Sequence, residues 1–198
     1  EALDRLAGIP AYSNGGLGTT TSVFLRGHDS KRLLLVIDGM RFNDPSSTGG
    51  AQWQHLLVSD IERIEILPGA QAGIWGADAA AGVINVITKK AAQGTHGSVA
   101  YTLGDLGQKQ TQGNIGYANN NFDARIGYTG LSSDEFSSIT PMINGVKQNP
   151  LDYEKDGYRN ATLNAKLGWN ISNTQRLEIN AFKAYALGYY DGSSPSDR

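Results

Sequence analysis

The stretch "IERIEILPGAQAGIWGADAAAGVINVITKK", Ile61 to Lys90, decides how this chain is read. It opens as a strand, with Ile61, Ile64 and Ile66 marking a change from helical to extended period. It then passes through Pro68-Gly69, the glycines Gly73, Gly76 and Gly82, and the alanines Ala79, Ala80 and Ala81. It ends in a second strand, "GVINVITKK". No nucleophile, metal cluster or phosphate loop is visible in it. Glycine permits positive φ or contact without a Cβ, and the alanines keep the segment thin. So much small backbone predicts a segment packed closely against its surroundings. Taken alone, a tight loop before an edge strand of an α/β protein is the plainer reading.

Bulk composition narrows the alternatives. The chain has 198 residues, enough for one ordinary domain or two small ones. Its net charge of −2 gives no general pull toward nucleic acid. There are no cysteines, which removes disulfides, thiolate catalysis and cysteine-ligated zinc. Twenty-five glycines and only 18% charged residues suit a turn-rich β protein. The opening "EALDRLAGIP" is not a basic segment followed by an apolar run, as a secretory leader would be. It reads as the end of a short helix stopped by Gly8. No apolar stretch approaches the ~20 residues of a spanning helix. Contact with a membrane would therefore have to be made by strands.

Outward from the opening stretch, the two halves differ in period. Toward the N-terminus, "SVFLRG" reads as a short strand. "RLLLVIDG" is a continuous apolar run closed by Asp-Gly, as expected of a strand buried on both faces. "AQWQHLL" begins as a helical turn. These pieces predict a small mixed sheet with short helices.

After Gly94 the chain alternates. Val99, Tyr101 and Leu103 oppose Ser98, Ala100 and Thr102; Ile115 and Tyr117 oppose Gln112 and Asn114. Phe122, Ala124, Ile126 and Tyr128 oppose Asp123, Arg125 and Thr129. Leu163, Ala165, Leu167 and Trp169 oppose Thr162, Asn164 and Lys166. Leu177, Ile179, Ala181, Tyr185 and Leu187 oppose Arg176, Glu178 and Asn180, with Lys183 interrupting the apolar face once. This is the pattern of antiparallel amphipathic strands. A soluble β-sandwich and an outer-membrane barrel both produce it, and periodicity alone favours the sandwich. Three details favour the barrel: charges and amides on the polar face, Tyr and Trp near strand ends, and short turns alternating with a long connection from Leu131 to Tyr158.

The first half resembles the plug domain of TonB-dependent outer-membrane receptors. The matching pieces come in order: "NGGLGTTTSVFLRG", "LLLVIDGMRFND" and the opening stretch, which is the most specific. The resemblance covers Leu3 to Lys90. It implies an α+β chain: a small mixed-sheet plug domain over residues 1–92, then, over 93–198, about five strands of a transmembrane barrel. Large receptors of this kind close 22 strands. The resemblance thus implies a piece truncated at both ends, without the energy-coupling TonB box. Five strands with open edges are expected to pair with another copy or aggregate. Among family members, "NGGLG" and "DGMRFNDPSS" are most similar to cobalamin-receptor types.

The resemblance also implies roles. Asn14, Gly15, Gly16, Leu17 and Gly18 would form an apical loop facing the ligand; the loop lacks the Lys-Ser/Thr ending of a phosphate cradle. Arg41, Phe42, Asn43, Asp44 and Ser46 would form a second. Arg26, Glu62, Arg63 and Glu65 would form a buried ionic lock, or a purely structural set of ion pairs. Glu154, Asp156 and Asp191 would hold calcium at the outer ends of two strands, or be a solvated loop. His28, His55 and His96 share no spacing and read as surface or loop residues; Trp53 and Trp75 read as core. The implied function is energised import of a scarce large nutrient, cobalamin-like, driven by the periplasmic TonB protein in the outer membrane of a Gram-negative bacterium. A ferric-siderophore or haem receptor is the neighbouring alternative, and a soluble β-rich binding or adhesive module is the alternative of another class. No triad, paired carboxylates or metal set supports an enzyme.

Overall fold

The computed structural model describes residues 9–44, 50–57, 59–105, 107–136, 142–143, 146–147 and 156–188. The helix expected in "EALDRLAG" lies outside these residues.

Two short strands, β1 (Ala11–Ser13) and β2 (Thr21–Val23), pair antiparallel and lead into the first sheet. The strand expected over "SVFLRG" ends early. A bridge between Leu25 and His28 closes a tight turn in which Arg26 and Gly27 take φ of 51° and 83°. The first sheet has β3 (Leu33–Ile37), β4 (Met40–Arg41), β5 (Ile61–Pro68) and β6 (Gly82–Thr88) in the order β4-β3-β6-β5. β3 and β6 run parallel and the outer pairs antiparallel. All five residues of β3 are buried, as a continuous apolar run requires of a strand covered on both faces. Between β3 and β4, Asp38 and Gly39 take φ of 47° and 84°, the left-handed pair that a two-residue hairpin demands.

The small-residue segment covers one face of this sheet. The short helix α1 (Ala72–Trp75) and the helical turn Ala77–Ala79 place Ala79 and Trp75 on Leu34, Val36 and Val83. Gly82 has φ of 154°, and a Cβ there would lie 2.6 Å from the Leu67 carbonyl oxygen and 2.7 Å from Leu25 Cδ2. The close packing is thus with the sheet's own strands. Gly73 needs neither positive φ nor missing volume, since a Cβ there would meet open space. The opposite face of the sheet carries the main core: Leu33, Leu35, Ile37, Ile84 and Val86 with Val23, Leu25 and Trp53.

Residues 89–93 lead directly into the second sheet, which is wholly antiparallel. Its strands are β7 (Gly94–Leu103), β8 (Lys109–Ala118), β9 (Phe122–Phe136), β12 (Asp156–Ser172) and β13 (Gln175–Gly188), in the order β13-β12-β9-β8-β7. A small hairpin, β10 (Met142–Ile143) with β11 (Val146–Lys147), sits in the connection from β9 to β12. β9 and β12 run further than their apolar alternation predicts, because the ladder continues through "SSDEF" and "DGYRN". The connections β8–β9 and β12–β13 are short and lie at the end where β7 begins. The connection β9–β12 is long and lies at the other end.

The second sheet is polar inside and apolar outside. Thr129, Ser133, Asn160, Thr162, Asn164 and Lys166 are buried against the first sheet. On the other face Val99 is 84% exposed, Ile115 61% and Ile126 52%, beside exposed Leu163, Leu167, Trp169 and Ile179. A sandwich buries its apolar side. This sheet turns that side away from the protein.

Candidate functional site

The two sheets meet across a polar seam rather than a second apolar core. Asp38, held at its strained φ in the β3–β4 turn, accepts hydrogen bonds from the Thr88 N–H at 3.0 Å and the Lys166 ammonium at 2.8 Å. Lys166 also donates to the Thr88 carbonyl at 2.9 Å. With side-chain exposures of 4% and 7%, Lys166–Asp38 is the most buried ion pair among the described residues. Asp60, in the turn before β5, takes Arg125 of β9 on one oxygen and Asn164 of β12 on the other. Gly127 makes room for this: a Cβ there would lie 2.9 Å from Asp60 Oδ2 and 2.4 Å from Asn164 Oδ1. Ser59 and Thr129 hydroxyls meet at 2.6 Å.

Nearer the long-connection end, His55 stacks on Tyr158 of β12 with ring centroids 6.0 Å apart. Its Nδ1 lies 3.0 Å from the Tyr158 hydroxyl, and the Asn160 amide donates to the His55 carbonyl at 3.0 Å. Burial lowers the His55 pKa below its ordinary 6.5 and favours the neutral ring. His55 is therefore an interface residue, not the loop residue its isolation in sequence suggests. Phe42 and Phe182 close the seam edge-to-face at 5.3 Å.

The first predicted ligand loop lies in the connection between β1 and β2. Asn14, Gly15, Gly16 and Leu17 are exposed in the β1–β2 connection. The loop is closed by Asn14 N–H donating to Thr20 O at 3.1 Å and Thr19 Oγ1 donating to Gly16 O at 2.8 Å. Gly18, with φ of 80°, lies against the Tyr158 ring, where a Cβ would come within 2.1 Å. Tyr158 stands near the outer end of β12, so this loop lies at the end of the sheet with the long connection.

Residues 41–44 run from the end of β4 into the connection that follows, and their side chains make internal contacts. The Arg41 guanidinium donates to the Trp75 carbonyl and meets Asp78 at 3.5 Å, tying down the small-residue segment. The Asn43 amide accepts from Leu35 N–H at 2.8 Å and donates to Leu33 O at 3.2 Å, extending the β3 edge. Gln52 donates to Asp44 at 2.9 Å. Phe42 packs on the core and on Phe182. These side chains make contacts within the scaffold, and that of Arg41 stays half-exposed. Ser46 lies outside the described residues.

Three residues of the predicted ionic lock sit together on β5. Arg63 pairs with Glu62 at 3.1 Å and Glu65 at 2.8 Å, but the side chains are 53%, 43% and 43% exposed. Hydrogen bonds from Arg63 and then Asn85 hold the Glu65 carboxyl below its usual range. Arg26 is exposed in its turn and makes no ion pair among the described residues. β5 is the edge strand of the first sheet, and these charged side chains are exposed there. The buried pairs are Asp38–Lys166 and Asp60–Arg125 instead. Of the proposed calcium ligands, Glu154 and Asp191 lie outside the described residues, and Asp156 begins β12. Among the described residues no group of acidic or histidine side chains has metal-binding geometry.

Comparison with known proteins agrees with this architecture. The family model for the TonB-dependent receptor plug domain matches residues 1–83. The vitamin B12 transporter BtuB of Vibrio cholerae is 33% identical over 196 residues, covering 98% of this chain and 31% of that protein. The transporter of the same name from Photobacterium profundum is 29% identical over 198 residues, covering all of this chain and 30% of that protein. The chain thus spans under a third of the length of these curated relatives. Among solved structures, the siderophore receptor PirA of Acinetobacter baumannii superposes with a TM-score of 0.71 at 20% identity, covering 96% of this chain and 29% of that one. The copper transporter OprC gives 0.71 at 18% identity, with 96% and 28% coverage. At such identities the structures speak for the fold. Sequence, inside-out sheet and fold together place the chain in the TonB-dependent receptor family of Gram-negative outer membranes, as a plug joined to strands of the surrounding barrel wall.

Proposed function

We propose that this chain is the plug and adjoining wall of a receptor that binds a cobalamin-like nutrient and imports it actively across the outer membrane, drawing work from TonB. The observation that carries the reading is the match along essentially the whole chain, plug and wall alike, to proteins named vitamin B12 transporters. The loop Asn14–Gly18 is the ligand-facing element of this part: it is exposed, polar, and sits at the long-connection end. Short connections mark the periplasmic end and long ones the outer end of such walls.

The polar seam suits gating. An apolar interface exposes greasy surface when it opens, whereas hydroxyl, amide and carbonyl groups can take water as a replacement partner. Ser59–Thr129, Asn160–His55 and Asn164–Asp60 are all of this kind. Asp38–Lys166 and Asp60–Arg125 then hold the plug in place until ligand and TonB act together. Calcium at Glu154, Asp156 and Asp191 is a separate proposal, decided by calorimetry on the full-length receptor. Produced alone, this piece self-associates through the free edges of β7 and β13.

The test is uptake by the full-length receptor in cells lacking their own cobalamin and iron-chelate receptors. Labelled cobalamin is expected to accumulate in a TonB-dependent manner. Uptake of ferric siderophore or haem without cobalamin transfers the assignment to those ligands, and detergent-free solubility of the intact protein removes the receptor reading.

A further inference from the structure

The ligand-facing loop rests on a buried residue of the wall. Gly18 follows the exposed run Asn14–Leu17, and a Cβ there would come within 2.1 Å of Tyr158 Cδ2 and 2.4 Å of Cε2. Its φ of 80° lies in the left-handed region, which a side chain also disfavours. Two separate constraints thus ask for glycine where the loop meets the ring. Tyr158 itself is 1% exposed, so a ligand can touch the loop but not the tyrosine beneath it.

The ring is held from several sides. Its backbone is fixed in β12 between Ser133 of β9 and Gly188 of β13. His55 stacks on it with the two planes 11° apart. The Tyr158 hydroxyl donates to the Gln54 carbonyl at 3.2 Å and accepts from the Asn160 amide at 2.8 Å. One lone pair remains, and His55 Nδ1 lies 3.0 Å away to fill it. A tyrosine stacked on its face and satisfied at its hydroxyl is a fixed platform. The loop above it is a unit of its own. Asn14 N–H donates to Thr20 O at 3.1 Å, Thr19 N–H to Gly16 O at 3.3 Å, and the Ser13 hydroxyl to Gly15 O at 3.2 Å. A loop closed by its own hydrogen bonds moves as one body, so fixing Gly18 fixes the rest. Thr21 N–H reaches Gln54 Oε1 at 3.5 Å, a longer tie just past the loop.

We propose that Tyr158 is the positioning residue of the ligand-facing loop: through this ring the wall sets where Asn14 and Leu17 stand, and so how tightly the nutrient binds. The proposal rests on the reading of Asn14–Gly18 as the ligand-facing element. A loop held in place before the ligand arrives avoids the ordering cost that binding would otherwise meet. The two ends of Tyr158 have separate tasks. The ring carries the loop, and the hydroxyl pins Gln54, His55 and Asn160 of the seam.

The experiment uses the full-length receptor and two readouts. Amide hydrogen exchange without ligand reads the loop, and equilibrium binding of cobalamin reads recognition. Tyr158→Ala is expected to speed exchange at Asn14 and Thr19 and to weaken cobalamin binding about tenfold. Tyr158→Phe keeps the ring, so exchange should rise only around residues 54–57, with cobalamin affinity within about twofold of wild type. Gly18→Ala should loosen the loop as Tyr158→Ala does. Because both variants break one contact, the double variant should lose less affinity than the product of the single losses. Heat-modified migration on gels checks that each variant is a closed barrel. Unchanged loop exchange in Tyr158→Ala overturns the proposal, as do single losses that multiply in the double variant. Equal loss of cobalamin affinity in Tyr158→Phe and Tyr158→Ala also overturns it, because the seam and not the loop would then set affinity. If wild type binds no cobalamin, the cobalamin reading falls, and loop exchange alone still decides whether Tyr158 positions the loop.

Discussion

The mixed sheet and the wall sheet solve opposite problems with similar residues. In the mixed sheet Leu34, Leu35 and Val83 are fully buried and Glu62 and Arg63 are exposed, as in any water-soluble domain. In the wall, Asn160, Thr162 and Asn164 are buried and Ile126, Leu163 and Trp169 are exposed. The difference lies in the solvent each surface meets. The plug's outside is water or the wall's polar lining, while the wall's outside is hydrocarbon, where an exposed leucine costs nothing and an exposed backbone edge is not tolerated. The two therefore join largely through hydrogen bonds and ion pairs, with Phe42, Leu56 and Phe182 adding apolar contact among the described residues.

The sharpest way to break this contrast is to strand a charge in the seam. Lys166→Met leaves Asp38 buried without its cation, and a loss of about 3–5 kcal/mol in plug–wall stability is expected. Hydrogen exchange of plug amides in the full-length receptor measures it, and adding Asp38→Asn, which removes the charge but tolerates the left-handed turn and still accepts from Thr88, should recover much of the loss. If Lys166→Met alone leaves protection unchanged, the seam is not held by this pair.

A second substitution probes the opposite surface. Ile126→Arg, near the middle of the outward band, is expected to cost about 2–4 kcal/mol when the receptor is folded into lipid bilayers. Arginine at Thr102, exposed on the opposite, polar face of the wall, should be nearly silent in the same assay, because that face is turned away from lipid. Equal tolerance at both sites would mean that the wall's apolar face does not contact lipid.

The smallest effect is expected from pH. Burial lowers the His55 pKa, so the unfolded chain takes up its proton first as the solution acidifies. The stabilisation from neutral His55 is fully present above its ordinary value of 6.5 and declines as pH falls below it. Protection of amides around residues 54–57 should weaken between pH 7 and 5, roughly the His range. The His55→Gln variant should lose that dependence; an unchanged profile would assign it to another group.

Much of the fold was legible because its signals are local. The run "LLLVI" closed by Asp-Gly reads as a strand covered on both faces, and all five of its residues are buried in β3. The alternation after Gly94 marked the wall strands, although it left sandwich and barrel open. The candidate site was less legible. Arg63 and Glu65 stand in a motif and invite a role, yet they pair with each other on an edge strand. Asp38 reads as a turn residue and its partner Lys166 lies 128 positions away, so nothing in the sequence joins them. Asn43 reads as a free donor in a polar loop, but its amide bonds are spent on β3.

By itself, then, the sequence determined the elements: which runs extend, where they turn, and that one face of each wall strand is greasy and the other polar. Those properties follow from side-chain period and backbone preference, which act over a few residues. Only the tertiary structure decided which face turns toward the plug and which carboxylate meets which cation. Such choices depend on strand register and on the docking of one sheet inside another, and these are set by the summed contacts of residues far apart in the chain.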